Sequence, residues 1–252
     1  MSVTPLRTAP ASDPHYDKRV DLACAFRWAA RLNMHESIAN HFSLAIAPDS
    51  PKFLINPYGR HFSRMRASDL LLIDANDPES ARQNPALDLT AGAIHGAVHR
   101  QLPHGHCVMH LHPKYALALA CLKDSSMPPI DQNTMRFYGR VAVDDGFDGM
   151  GLGDEAERLP KALSNRSVLV MGNHGVMVVG RTVAQAFDEI YYFERAAETL
   201  LTAYATGREL RVVSPAVAQK TAQQWAEYPE FAERHFQALK DILDEEEPDY
   251  RN

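Results

Sequence analysis

The sequence predicts an α/β protein in which a mixed sheet is covered by helices. Three observations predict it. Short apolar, β-rich runs stand at Cys107–Leu111, at 167–171 and at 176–179, each bounded by turn residues. Longer stretches at 17–33 and after Thr182 repeat their apolar residues at helical spacing. The two kinds of segment alternate along one chain of 252 residues, with no internal repeat and no second-domain boundary.

Taken in order, residues 1–16 are rich in Pro, Ser and Thr without periodicity and read as a flexible N-terminal arm. Val20, Leu22, Ala23, Phe26, Ala30 and Leu32 then suit an amphipathic helix that ends near Asn33. Strands are expected at 41–47 and 52–55, and Asn56-Pro-Tyr-Gly59 forces a loop. Ser68-Asp69 caps a turn before a third strand at 70–73, and Thr90 is expected to cap a helix running to about Gln101. Pro113 suits the first turn of a helix over 114–122. A helix at 131–138, a strand at 141–143, a glycine-rich loop at 146–153 and a polar helix over 154–165 follow. Thr182 caps a long helix that Gly207 ends. Residues 211–252 add two helical segments, at 214–227 and 229–244, and an acidic tail, Asp244-Glu-Glu-Glu-Pro-Asp249, expected to be solvated.

Composition narrows the functional classes. Apolar residues make up 45% and charged ones 23%, ordinary for a soluble globular protein. A net charge of -6 offers no basic face for nucleic acid. No run approaches the ~20 apolar residues that span a bilayer, so no membrane partner is expected. Cys24, Cys107 and Cys121 form no CxxC, which reads as reduced, mostly buried thiols and a cytoplasmic setting.

Twelve histidines are many for this length, and several fall between His95 and His112. On a strand, residues i and i+2 share a face, so His110 and His112 project together while Leu111 points away. His174 sits in the turn Gly172-Asn-His-Gly175 between two apolar strands. It can converge on the pair if those strands neighbour each other. Three imidazoles with an open fourth position are the ligand set of catalytic zinc.

The segments Ile38-Ala-Asn-His-Phe-Ser43, Phe53-Leu-Ile-Asn-Pro-Tyr-Gly59 and Ala67-Ser-Asp-Leu70 resemble the opening of the class II aldolase/adducin family. Cys107-Val-Met-His-Leu-His112 resembles its paired-histidine strand. Val168-Leu-Val-Met-Gly-Asn-His-Gly-Val176 with Gly180-Arg-Thr-Val-Ala-Gln-Ala186 resembles its third-histidine strand and following helix. The resemblance spans about residues 18–210 and implies a domain over 17–210 with a three-layer α/β/α fold. It implies one divalent metal on His110, His112 and His174: zinc first, with Fe(II), Mn or Co as alternatives. It also implies a small-molecule substrate and a homotetramer.

The resemblance breaks at one place. Sugar-phosphate aldolases of the family carry Ser-Ser-Glu nineteen residues before the first ligand histidine, and the glutamate is their acid/base. Here that position is Ala91, within Leu89-Thr90-Ala91. His95 lies one helical turn on and is the candidate catalytic acid/base, with His99 a further turn away and read as structural or interfacial. Asn40, Ser43, Asn56 and Gly59 match loops that hold the anionic end of the substrate, for which a carboxylate is favoured. Tyr138, with Arg60 and Arg136, is a further substrate-pocket candidate.

The expected function is a divalent-metal-dependent lyase. It would cleave a C–C bond next to a carbonyl through a metal-stabilised enediolate, as aldolase or decarboxylase, on a small carboxylated or hydroxy-keto substrate. One alternative is a non-heme Fe(II) oxygenase acting on a 2-oxo or 2-hydroxy acid. The other is a non-catalytic, adducin-like binding module.

Overall fold

The computed structural model describes residues 13–228 and 230–252. Most of the arm expected at 1–16 lies outside them. Of its end, Asp13 pairs with Arg19 at 2.7 Å, and Tyr16 already begins the first helix.

Seven strands form one sheet: β1 (His41–Ala45), β2 (Lys52–Ile55), β3 (Leu71–Asp74), β4 (Cys107–Leu111), β5 (Val141–Asp144), β6 (Val168–Met171) and β7 (Gly175–Gly180), in the order β3-β2-β1-β4-β7-β6-β5. Every neighbouring pair is antiparallel except β5 with β6, so the sheet is mixed, as expected. Alternation along the strands sorts side chains between two layers. Phe42, Met109, Leu111, Val176 and Val178 pack with α1 (Tyr16–Arg31), α4 (Lys114–Ala120) and α7 (Val183–Ala205). Val108, Leu169, Met177 and Val179 pack with α3 (Leu89–Gln101) and α6 (Asp154–Leu163). The outer strands add Phe53, Ile55 and Ile73 against α2 (Pro78–Gln83) and the start of α3. The result is helices on both faces of a central sheet.

Local chemistry explains most element ends. Thr182 caps α7 by accepting from Gln185 N. The cap of α3 is Asp88 and not Thr90: Asp88 Oδ1 accepts from the backbone nitrogens of Thr90 and Ala91 and from the Thr90 hydroxyl. A carboxylate there also favours the positive end of the helix. The short α2 was not foreseen, although Asp77 caps it and Pro78 occupies its first turn. α5 (Gln132–Arg136) and α8 (Pro215–Ala226) are capped by Asp131 and Ser214.

The acidic tail is docked, which overturns the solvated reading. It continues α9 (Glu230–Glu246) into a 3-10 turn at Pro248–Arg251. Arg27 on α1, 3% exposed, holds Glu247 at 2.7 Å and Asp249 at 3.0 Å, while Tyr250 is wholly buried. A buried guanidinium needs partners, and the tail supplies them. Among the described residues, no helix is long and apolar enough to cross a membrane. Cys24 and Cys107 are buried, Cys121 is exposed, and all three are free thiols.

Candidate metal centre

β4 and β7 are neighbours, with His110 opposite Met177 and Leu111 opposite Val176. The β6–β7 turn therefore delivers His174 beside the end of β4. Asn173 holds the turn in the left-handed region (φ 58°), which asparagine tolerates better than most residues. Gly175 is required for a different reason. A Cβ there would stand 2.7 Å from the Leu111 carbonyl oxygen and closer still to the His112 ring. The missing side chain is the space in which His112 lies.

One nitrogen from each of His110, His112 and His174 falls within 4.8 Å of the others. His110 is buried, while His112 and His174 are half-buried. His110 Nδ1 donates to the Val176 carbonyl at 3.1 Å, and His112 Nδ1 donates to Glu36 Oε2 at 2.9 Å. With Nδ1 of each ring donating, Nε2 is the nitrogen each has left, and the two Nε2 atoms are 3.1 Å apart. At that distance they share either a hydrogen or a cation. Tetrahedral zinc with ~2.05 Å bonds would set such nitrogens about 3.3 Å apart. His174 Nδ1 is buried without a partner. Burial holds His110 well below its usual pKa and lowers His174 too, so both stay neutral, the form that binds metal. The donor set fits a divalent cation.

Behind the three rings runs a buried polar chain. His41 and Ser43 point from β1 toward α3, where His95 and His99 are one turn apart. His41 Nδ1 meets His95 Nε2 at 2.8 Å, His95 Nδ1 meets Ser43 Oγ at 2.5 Å, and Ser43 Oγ meets His99 Nε2 at 2.7 Å. The His41 ring packs 5.0 Å from the His110 ring. Burial pushes His41 and His99 down to about 3 and His95 well below its usual value. The chain is neutral.

The sequence candidates divide accordingly. His95 is 0% exposed with both ring nitrogens engaged, so it stands behind His41 with no surface of its own. Ser43 belongs to the same chain and is likewise wholly buried. Asn56 accepts from Phe42 N and donates to the Asn40 carbonyl, bracing β1. Asn40 accepts from Glu36 N and keeps a buried, unpartnered Nδ2. Gly59 (φ 77°) turns an exposed loop with open space around it. Arg60 lies against Asp69 at 3.1 Å. Tyr138 and Arg136 do not join the histidines within one chain. They precede β5 at the Val168 end of β6, whereas His174 follows its Met171 end.

Sequence reasoning missed Glu36 and Phe147. Glu36 belongs to the irregular segment before β1, where Ser37 adopts φ 58°, and no periodicity marks it. Phe147, half exposed in the glycine-rich loop, has its ring 6.2 Å from His174.

Comparison with known proteins agrees with this fold. Residues 20–201 match the family model described as Class II Aldolase and Adducin N-terminal domain. The chain belongs to the class II aldolase and adducin N-terminal family. A crystal structure of an aldolase II superfamily protein from Pseudomonas syringae superposes with a TM-score of 0.86 at 30% identity, covering 98% of each chain. L-fuculose 1-phosphate aldolase from Glaciozyma antarctica PI12 superposes with a TM-score of 0.80, over 99% of this chain and 97% of that one. At 24% identity it shows the shared fold alone. Decarboxylase NovR from Streptomyces niveus is 27% identical over 86% of this chain and 82% of its own length.

Proposed function

We propose that this chain is a divalent-metal-dependent carbon–carbon lyase acting on a small carboxylated or hydroxy-keto substrate. The observation that carries the reading is the approach of the His110 and His112 Nε2 atoms to 3.1 Å, with His174 converging on them. His110, His112 and His174 would hold the cation, with zinc the first expectation. A divalent cation supplies Lewis acidity toward a carbonyl oxygen, favouring the charge that develops as the neighbouring bond breaks.

The residues of the chain do the rest. The Val176 carbonyl and Glu36 take the Nδ1 hydrogens of His110 and His112 and so turn both Nε2 atoms toward the cation. Asn40 Nδ2 is a free donor for the anionic end of a substrate, with the Gly59 loop as a further contact, and Phe147 offers an apolar wall.

The neutral chain behind them has two settings, because Ser43 has one hydrogen for two imidazole nitrogens. In one, His41 Nδ1 donates to His95, His95 to Ser43 and Ser43 to His99, leaving His41 Nε2 bare. In the other, every donor reverses: His41 Nε2 has gained a hydrogen, His99 Nε2 donates to Ser43, and His99 Nδ1 has released one. A proton taken up at His41 Nε2 is thus matched by one given up at His99 Nδ1, and His95 passes it on while each resting ring is neutral. Decarboxylation suits this arrangement better than aldol cleavage. Loss of carbon dioxide needs no base to take a hydroxyl proton, and Ala91 stands where sugar-phosphate aldolases of the family carry that base. A ring-shaped homotetramer is the expected assembly, to be read by light scattering.

Elemental analysis of protein purified without chelator, with oxygen excluded, is the first test. About one zinc, manganese or cobalt per chain supports the lyase. Predominant iron, with oxygen uptake on a 2-oxo acid, would replace it with an oxygenase. No metal after reconstitution would leave a binding module. With a substrate in hand, His95→Ala is expected to keep its metal and lower kcat by ~10²-fold or more.

A further inference from the structure

At the opposite end of the central strands, beyond Ser167 and Gly180, lies a cavity of about 490 Å³. Its wall includes Arg136, Arg140, Arg166, Arg181, Trp225 and Tyr228. Four arginines around one cavity are notable in a chain of net charge -6. The acids beside them are already in use. Asp188 gives one oxygen to Arg136 and the other to His235. Glu189 gives one to Arg140 and the other to the Ser167 hydroxyl. No carboxylate oxygen of that pair is left to neutralise Arg166 and Arg181, whose guanidinium groups have no ionic or hydrogen-bonded partner among the described residues.

Arg136 is the decisive group. Its side chain is 8% exposed, and only Nη2 is engaged, with Asp188. Nε and Nη1 are buried with no partner among the described residues, which leaves three N–H donors unmet in a residue that lines the cavity. The Tyr192 and Trp225 rings, 4.7 and 5.1 Å from its guanidinium carbon, attract the cation but offer no lone pair to those hydrogens. A guanidinium edge with free donors matches the oxygens of a carboxylate or phosphate. Trp225 is half-buried and Tyr228 half-exposed, so both have ring surface left for a flat body to lie on.

We propose that this cavity is a second binding site, separate from the histidine centre, for a small oxyanion carried on a planar ring. Arg136 takes the oxyanion at its floor, Arg166 and Arg181 close over it, and Trp225 and Tyr228 flank the ring. The two sites share no residue, so the proposal stands or falls without the metal centre.

The test uses metal-depleted full-length protein and follows tryptophan fluorescence and calorimetric binding with four probes: phenyl phosphate, benzoate, inorganic phosphate and benzamide. Phenyl phosphate and benzoate are expected to bind at least tenfold more tightly than either inorganic phosphate or uncharged benzamide. The exposed pair Arg166→Ala/Arg181→Ala, which removes no internal contact, should weaken phenyl phosphate at least tenfold and leave the melting temperature unchanged. Arg136→Lys should abolish binding, and the surface pair keeps the test valid if that variant fails to fold. Equal binding of benzamide and phenyl phosphate, or unchanged affinity in the surface pair, would overturn the proposal. So would the absence of binding by all four probes.

Discussion

The two ends of strands β6 and β7 solve opposite electrostatic problems. At the Met171–Gly175 end, His110 and His174 are kept neutral by burial, and their lone pairs wait for a cation. At the Val168–Gly180 end, permanently charged guanidiniums gather with hydrogens that have no acceptor. Burial disfavours charge on imidazole, whose pKa lies within reach, but cannot discharge arginine. The same sheet thus presents a site short of positive charge and another short of negative charge.

The largest effect that would break this contrast is loss of metal. His112→Ala should reduce bound metal from about one per chain to background with little change in far-UV circular dichroism, while Arg166→Ala/Arg181→Ala keeps it. Full metal content in His112→Ala would sink the ligand assignment. Next in size is acid sensitivity of the metal-free protein. Unfolded imidazoles bind protons below about pH 6.5, whereas His41 and His99 in the fold do so only near 3. Stability is therefore complete above that range and falls as the pH drops from about 6.5 toward 3. Each ring that stays neutral contributes about 1.4 kcal/mol per pH unit over that window. Urea midpoints at three pH values measure it, and His99→Gln should remove one such increment from the slope.

Smaller effects sharpen the geometry. Gly175→Ala pushes a methyl group into the His112 ring and is expected to cost about 1–3 kcal/mol of stability and to weaken metal binding. Glu36→Gln leaves the fold alone and should lower metal affinity about 10–100-fold through His112, read by competition with a chelating dye. Unchanged affinity there would mean that the Glu36 contact does not hold the ring.

The legible parts of this protein were those written in short spacing. His110 and His112 share a strand face, Gly172-Asn-His-Gly175 makes a turn, and the neighbouring of β4 and β7 joined them. What escaped was chemistry without a period. Glu36 reaches His112 across 76 residues from an irregular loop, and nothing local marks it. Asp88 and Thr90 are both good caps, and only backbone geometry chose between them. Arg136 and Tyr138 read as pocket residues, yet the parallel β5–β6 pairing carries them to the other end of the sheet. The acidic tail looked solvated because its partner, Arg27, lies 220 residues earlier.

That last pairing bears on how the chain is made. At about 5–20 residues per second, a ribosome needs on the order of ten to forty seconds to pass from Arg27 to Glu247. Throughout that interval the first helix carries a guanidinium that the finished protein seals away. Until the far segment has emerged, the Met65 carbonyl is the acceptor this guanidinium can reach. A nascent chain halted short of Glu247 would lack both carboxylates, Glu247 and Asp249, that balance this charge in the finished fold.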